Sequence, residues 1–252
     1  MIACLPALLL PRPRIGWPLL ILIGLTLFTG QFLLLFFAFT NGLPPGVASV
    51  TQQMQAFFTV GLAAVFLGDV PTVRQGTGMA VALVGLILIG LTVDGELSVL
   101  GLTLAMGGAL SWAVGNVLVK RIGDTPMFAL VAWLSLVPPI PALAVAAVYD
   151  QDPFLISQLR AASWTSLAAA LYLGAIATTL AYAIWGRLLA RYPTALVAPF
   201  ALIAPCVGVA GSALVFGEVF GAIRSLGMLL ILAGLAVVVL PAGVTAVIWQ
   251  RK

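Results

Sequence analysis

The sequence has no histidine, two cysteines and few charged residues. Only 7% of its 252 residues are charged, whereas a typical soluble domain has about 25%. Without histidine, the chain lacks imidazole metal ligands and the base of serine–histidine and cysteine–histidine nucleophile pairs. Cys4 and Cys206 stand apart in apolar stretches, so we expect each to pack as a small apolar side chain. We therefore expect neither an enzyme nor a cofactor.

Hydrophobic residues make up 63% of the chain, more than a soluble fold of this size buries. A membrane-spanning helix needs about 20 apolar residues, and eight stretches of the sequence approach or exceed that length. They run roughly from Trp17 to Phe39, Gly46 to Leu67, Gly76 to Val93, Leu100 to Val119, Met127 to Tyr149, Trp164 to Trp185, Thr194 to Phe216 and Ile223 to Trp249. The stretches lack the alternating polarity of β-barrel strands. The sequence thus predicts an all-α integral membrane protein of about eight full spans, with the lipid bilayer as its environment.

The apolar segment from Met1 to Leu10 is too short to span a membrane, because ten helical residues extend only about 15 Å. It neither begins with a basic region nor ends in small residues, as a signal peptide does. We interpret this segment as half of a helix whose beginning lies upstream of Met1.

Basic residues are concentrated in alternate connections between the predicted spans. Nine lie on one side of the membrane, and the two on the other side are Arg160 and Arg224. Because cytoplasmic loops carry the Lys and Arg excess, we expect the nine and the C-terminus to be cytoplasmic. The net charge of +4 is then explained by topology. Since the basic residues form no run with interleaved aromatics, we expect no nucleic-acid partner.

A segment from Pro44 to Leu86 recurs at a constant offset of 149 residues, as from Gly78 to Gly227. The matched positions are Pro44, Gly68, Gly78, Met79, Leu83, Gly85 and Leu86 with Pro193, Gly217, Gly227, Met228, Leu232, Gly234 and Leu235, and Asp69 with Glu218. The turn at Asp69 is predicted in the cytoplasm and the turn at Glu218 outside, so the copies are inverted. Inverted repeats are a building plan of secondary transporters, whose substrate sites lie near mid-bilayer.

Polar side chains inside predicted spans indicate where a site lies, because such groups are expensive in lipid. The densest cluster contains Ser49, Thr51, Gln52, Gln53, Gln55 and Thr59. Its amides can donate to a carboxylate and accept from an ammonium, although bonds between helices are the alternative role. Further polar residues are Gln31, the stripe of Trp112, Asn116 and Lys120, and the group of Thr178, Thr179 and Tyr182.

The candidate substrate-binding residues are Gln31, Gln53, Gln55, Trp112, Asn116 and Tyr182. For Trp112 and Asn116, a packing role is as consistent with the sequence as a cavity role, and Lys120 and Trp185 are expected near the membrane interface. All acidic residues fall in connections, so no conventional proton relay is visible. Gradient-driven facilitation, or coupling through the ionisation of the substrate, fits better.

Several strings resemble the EamA-type members of the drug/metabolite transporter superfamily, nearest to exporters of O-acetylserine and cysteine. They are Ala48-Ser49, Gln53-Met54-Gln55-Ala56-Phe57-Phe58-Thr59, Ser111-Trp112-Ala113-Val114-Gly115-Asn116 and the segment from Tyr182 to Tyr192. The resemblance implies ten spans in two inverted five-helix repeats, a bacterial inner-membrane location and efflux of small amino-acid metabolites. Residues 1–94 would be the remnant of the first repeat, a half-helix and three spans, and residues 95–252 the second repeat with five spans. The first helix and part of the second are missing from this pattern, and we expect an upstream start codon, with a natural truncation as the alternative.

The first functional hypothesis is an exporter of small zwitterionic amino-acid derivatives that works by alternating access. A second is a transporter of the same fold for another amino acid, a nucleoside or a drug. A third is a truncated, non-transporting membrane subunit or a membrane enzyme, for which Asp150 and Asp152 are the sole candidates and fit a solvated loop better. A homodimer remains open as the assembly.

Overall fold

The chain folds into apolar helices. The computed structural model describes residues 7, 9–92, 98–123, 125–149, 162–207 and 221–240, and every regular element within these ranges is helical. Within these ranges, seven helices are long and apolar enough to cross a membrane, and another apolar helix, over Thr194–Val207, is shorter. The helices are α1 (Trp17–Thr40), α2 (Pro45–Leu67), α3 (Val73–Gly90), α4 (Val99–Ile122), α5 (Met127–Tyr149), α6 (Trp164–Arg191), α7 (Thr194–Val207) and α8 (Ala222–Val239).

These helices confirm the predicted all-α, multi-pass membrane architecture. The predicted span from Thr194 to Phe216 is described as far as Val207, and the remainder lies outside the described residues. One of the boundaries that differ from the prediction, the start of α3, has a clear structural reason. Helix α3 begins at Val73 rather than Gly76, because the Thr72 side chain accepts from the Gln75 backbone and the Gln75 side chain accepts from the Thr72 N–H. This capping box satisfies two free donors and starts the helix early.

Large apolar side chains remain exposed along the helices. On α8, Ile223, Leu226 and Leu229 are all exposed and recur every three residues, which places them on one side of the helix. A stripe of this kind is a liability in water but matches the hydrocarbon core of a bilayer. Most of the apolar segment Met1–Leu10 lies outside the described residues, so the predicted half-helix stays a prediction.

The chain divides into two compact units, each made from two stretches of sequence. Unit 1 contains Met1–Phe36 and Leu110–Tyr192, and unit 2 contains Phe37–Ala109 and Pro193–Lys252. Each unit thus combines segments from early and late in the chain. The predicted repeat boundaries at residues 94 and 95 are a different division of the sequence, and they remain a prediction.

Each unit has its own apolar core. The core of unit 1 includes Leu20, Ile23, Leu130 and Leu134, all at most 2% exposed. In unit 2, Cys206 is a free, buried cysteine that packs in an apolar cluster with Leu202 and Ile231. The prediction that Cys206 packs as a small apolar side chain is therefore confirmed, while Cys4 lies outside the described residues.

Helices α3 and α8 of unit 2 correspond to each other at the offset of 149 residues, including their first and last residues. They pack at very short range. A methyl group on Gly85 would lie 2.5 Å from the Gly227 carbonyl oxygen, and one on Gly78 would lie 2.6 Å from the Gly234 oxygen. Since the early glycine of each helix meets the late glycine of the other, the two helices run antiparallel.

An arginine closes each end of the α3–α8 pair. Near the start of α3, the Arg74 guanidinium donates to the carbonyl oxygens of Leu240 and Val238 at the end of α8. Near the start of α8, Arg224 donates to the Thr92 hydroxyl at 3.0 Å and to the Thr92 carbonyl at 3.2 Å, just beyond α3. Carbonyls at helix ends lack intrahelical donors and carry partial negative charge. The two arginines therefore satisfy them and lock the pair at both ends.

We expect Gly85→Ala to destabilise the protein, because the added methyl meets backbone atoms of α8 that cannot yield. Overpacking of this kind costs about 1–3 kcal/mol. The measurement is the thermal unfolding midpoint of the purified protein in detergent. The matched control is Gly61→Ala in α2, where an added methyl meets nothing within 4 Å and the change stays within about 0.5 kcal/mol. Equal midpoints for the two variants would contradict the close helix crossing.

Candidate functional site

The six predicted site residues are divided between the two units. Gln31, Trp112, Asn116 and Tyr182 belong to unit 1, whereas Gln53 and Gln55 belong to unit 2. Each group is described within its own unit. In both units, the polar side chains lie beside an interruption of a regular helix.

Unit 1 brings Trp112, Asn116 and Tyr182 together with Trp185. The Trp185 indole N–H donates to the Asn116 side-chain oxygen at 3.1 Å, and the Trp112 side chain lies next to the Tyr182 hydroxyl. The rings of Trp112 and Trp185 lie 5.6 Å apart between centroids at an angle of 40°. Asn116 is 1% exposed. The cluster is therefore a buried network of aromatic rings that includes a hydrogen bond.

Trp185 was expected at the membrane interface but turns inward to Asn116. Helix α6 continues beyond the predicted end at Trp185 as far as Arg191, so the tryptophan lies inside the helix. Its partner on α4 is reached only through the packing of the two helices. The sequence analysis named Trp112 and Asn116 on one helix and Tyr182 on another, but it did not predict that Trp185 joins them.

The space beside this cluster is small in the described conformation. A cavity of about 10 Å³ is lined by Asn116, Tyr182 and Trp185 together with Leu27, Met127 and Leu134. That volume holds about one water molecule. A solute the size of an amino acid would fit there only if the surrounding helices moved apart.

A π-helical turn interrupts α1 next to the cluster, over Leu25–Gly30. Such turns leave backbone carbonyls that need other donors. Ser111 of α4 supplies one, because its hydroxyl donates to the Thr26 carbonyl at 2.8 Å. Gly30 allows this approach, since a methyl group there would collide with the Ser111 hydroxyl. Helices α1 and α4 are thereby joined one residue before Trp112.

Helix α6 has a π-helical turn at the corresponding place, over Tyr172–Leu180. In α1 the Thr29 hydroxyl donates to the Gly24 carbonyl five residues earlier, at 3.4 Å. In α6, Thr178 donates to the Leu173 carbonyl at 2.7 Å. Thr178 follows Thr29 by the same 149 residues that relate α3 to α8. Short π-helical turns inside α-helices occur frequently at functional sites, and the sequence did not reveal these two.

Gln31 is the first residue after the π-helical turn of α1. Its side chain is 9% exposed, and its amide oxygen is buried without a hydrogen-bond partner. The residue therefore presents an unsatisfied acceptor at the point where α1 resumes regular helical geometry.

In unit 2, α2 is interrupted at Gln53. Regular helix covers Pro45–Gln52 and resumes over Met54–Leu67, while the Gln53 N–H bonds the Val50 carbonyl three residues back. At the position of α7 that corresponds to Gln53, a 3-10 segment over Ala198–Leu202 ends. Both corresponding helices are thus irregular at the same point.

The glutamine segment, which we define as Gln52, Gln53 and Gln55, surrounds the interruption in α2. The amide nitrogen of Gln52 donates to the Ala105 carbonyl at 3.2 Å, and that of Gln53 donates to the Ser49 carbonyl at 3.4 Å. The side-chain oxygens of all three glutamines are buried and have no hydrogen-bond partner. In this conformation the segment has acceptors to offer.

Asp69 is the one acidic residue that the structure describes, and it has a hydrogen-bond partner within unit 2. Gly68 caps the C-terminal end of α2 in the left-handed conformation at φ 67°, and Asp69 is the next residue. The Asp69 carboxylate accepts a hydrogen bond from the Thr194 backbone N–H at 2.6 Å. Asp69 therefore caps the beginning of α7, while Glu218, Asp150 and Asp152 lie outside the described residues.

Comparisons with known proteins give consistent matches over most of the chain. The pattern of the EamA-like transporter family matches residues 1–91 and 99–240. A probable amino-acid metabolite efflux pump of Escherichia coli is 37% identical over 242 residues, which are 93% of this chain and 81% of that protein. A protein of the same description from Salmonella typhimurium is 37% identical over 230 residues, 89% of this chain and 77% of that protein.

A solved crystal structure is among those whose fold resembles the fold of this chain. The two structures align with a TM-score of 0.75 and 19% sequence identity, over 89% of this chain and 78% of the other chain. At this identity the likeness concerns the fold alone, and it agrees with the helical membrane architecture.

We expect Asn116→Leu to destabilise the protein by about 1–3 kcal/mol, because it leaves the Trp185 indole N–H buried without an acceptor. The double variant Asn116→Leu with Trp185→Phe removes both partners and is expected to be less destabilised than the two single effects would add to. Thermal unfolding of the four proteins in detergent gives the coupling. Additive effects would contradict the hydrogen bond between the two side chains.

Proposed function

Because the chain belongs to the EamA-like transporter family, we propose that it exports small amino-acid metabolites of the O-acetylserine and cysteine kind from the bacterial cytoplasm. The chain is a multi-pass membrane transporter. Support for the substrate class comes from the relatives at 37% identity, whose names describe probable amino-acid metabolite efflux pumps. A zwitterion of this class carries both an ammonium group and a carboxylate.

The observation that carries the proposal is a set of unsatisfied acceptors inside the spans. Gln31, Gln52, Gln53 and Gln55 each keep a buried side-chain oxygen without a partner. By contrast, the oxygen of Gln75, at a helix end, accepts from the Thr72 N–H at 2.8 Å. A buried unsatisfied acceptor costs about 1–3 kcal/mol, and lipid offers no compensation. Their number favours a role in binding a polar solute over a role in stability.

The proposal assigns substrate contacts in each unit. In unit 1, they fall to Gln31, Trp112, Asn116 and Tyr182, where amide and hydroxyl groups lie among aromatic rings. In unit 2, they fall to Gln53 and Gln55. Pockets that combine an apolar wall with a few directed polar groups are typical of small-molecule sites.

Transport would proceed by alternating access in the inner membrane, with the C-terminus in the cytoplasm. The nine-to-two distribution of basic residues supports this orientation. No acidic residue of the sequence falls within the described spans, which favours gradient-driven export or coupling through the ionisation of the substrate. The π-helical turns of α1 and α6 are the places where these helices depart from regular geometry, and we propose that both helices bend there during transport.

Expression of the chain is expected to raise the tolerance of bacteria to excess cysteine and O-acetylserine. The host should lack its own exporters of these compounds, and the measurement is the external concentration of each over time. An empty vector is the control. External concentrations equal to those of the control, with the chain present in the membrane, would contradict the proposed function.

Gln55→Leu is expected to slow export severalfold or more at equal expression, because it removes an acceptor for the solute. Its control is Gly61→Ala on the same helix, at a position with open space around it. The measurement is the initial rate of cysteine export from loaded cells. A rate for Gln55→Leu equal to that of the parent would show that the amide has no role in transport.

A further inference from the structure

The hydrogen bonds of the glutamine segment determine which end of a zwitterion it can bind. An amide side chain offers two donors on nitrogen and an acceptor on oxygen. In Gln52 the nitrogen faces the Ala105 carbonyl, and in Gln53 it faces the Ser49 carbonyl. Reversing either amide would place two oxygens against each other, so these carbonyls fix the orientation. Both side chains therefore use a donor within unit 2.

The acceptor side of these amides has no partner in the protein, whereas the nitrogens of Gln52 and Gln53 each already donate one hydrogen bond. The oxygens of Gln52, Gln53 and Gln55 are buried and unpartnered, and the side chains of Gln52 and Gln53 are each 9% exposed. A carboxylate has only acceptors, so it cannot donate a hydrogen bond to these side-chain oxygens. An ammonium group has three donors and no acceptor, and its bonds to oxygen are strengthened by its charge.

We infer that the glutamine segment of unit 2 binds the ammonium group of the transported solute through the side-chain oxygens of Gln52, Gln53 and Gln55. This inference rests on the proposed export function and adds the chemical group that this segment recognises. Gln52, which is absent from the six candidate residues found in the sequence, belongs to the binding segment. The selected solutes are small amines, with or without a carboxylate.

The chemistry separates amines from acids. Cysteamine keeps the ammonium group of cysteine and lacks the carboxylate, whereas 3-mercaptopropionate keeps the carboxylate and lacks the amine. We expect cysteamine to raise the thermal unfolding midpoint of the purified protein in detergent, since a ligand that binds the folded state stabilises it. We expect 3-mercaptopropionate at the same concentration to leave the midpoint unchanged.

Gln53→Leu tests the segment itself. Loss of one acceptor for a charged donor is expected to weaken cysteamine binding about tenfold or more. The unliganded variant should unfold at about the same temperature as the parent, because the substitution removes the long 3.4 Å bond to the Ser49 carbonyl together with a buried acceptor that lacks a partner. A merely structural glutamine would behave differently, with a lower midpoint in the unliganded protein. Gln53→Glu keeps an oxygen acceptor and is expected to retain the preference for cysteamine.

Thr51→Val provides the matched control. Thr51 is also buried and lies two residues from Gln53, but its hydroxyl donates to the Val47 carbonyl of its own helix at 2.9 Å. We expect this variant to bind cysteamine as the parent does.

The possible results separate the inference from the export function. A midpoint raised by cysteamine alone, and lost in Gln53→Leu, supports the inference. A midpoint raised by 3-mercaptopropionate instead overturns it, while export of cysteine by cells still supports the proposed function. Cysteamine binding that is equal in the parent, Gln53→Leu and Thr51→Val also overturns it, because the glutamine oxygens then make no contact with the amine.

Discussion

Lipid offers no hydrogen-bond partner, so each polar group within a spanning helix depends on the protein or its cargo for satisfaction. Most groups in the described residues obey this constraint locally. Threonine hydroxyls return to carbonyls of their own helices, as Thr59 does to Gln55 at 2.6 Å. Ser111 repairs the π-helical turn of α1. Five buried side-chain oxygens of the described residues have no partner: the Thr194 hydroxyl and the oxygens of four glutamines. The glutamines are therefore the main exceptions.

The two units handle this constraint differently. In the aromatic cluster of unit 1, the Trp185 indole N–H donates to the Asn116 side-chain oxygen, so the amide oxygen has its partner within the cluster. Such a network favours one closed arrangement of its helices. In the glutamine segment of unit 2, the nitrogens of Gln52 and Gln53 donate to carbonyls, while the side-chain oxygens of all three glutamines have no partner. A transporter needs one network that stabilises a conformation and another site whose free energy falls when a solute binds to it.

The sequence predicted those features that depend on length and composition. The apolar stretches located the helices, and the glycine matches foretold the correspondence of α3 with α8. Features that depend on tertiary contacts were not predicted from the sequence. The inward turn of Trp185 follows from its partner on α4, and the orientation of Gln52 is set by Ala105, 53 residues away. The π-helical turns were not foreseen either, because Leu25–Gly30 and Tyr172–Leu180 lie in ordinary apolar stretches.

The crossing of α3 and α8 obeys a rule usually found between separate molecules. Gly78 meets Gly234 and Gly85 meets Gly227, so each contact is repeated when the two helices exchange roles. Isologous contacts of this kind define the interface of a twofold homodimer. The α3–α8 pair therefore behaves as a small twofold interface within one chain, in which each helix presents the same glycine face to the other.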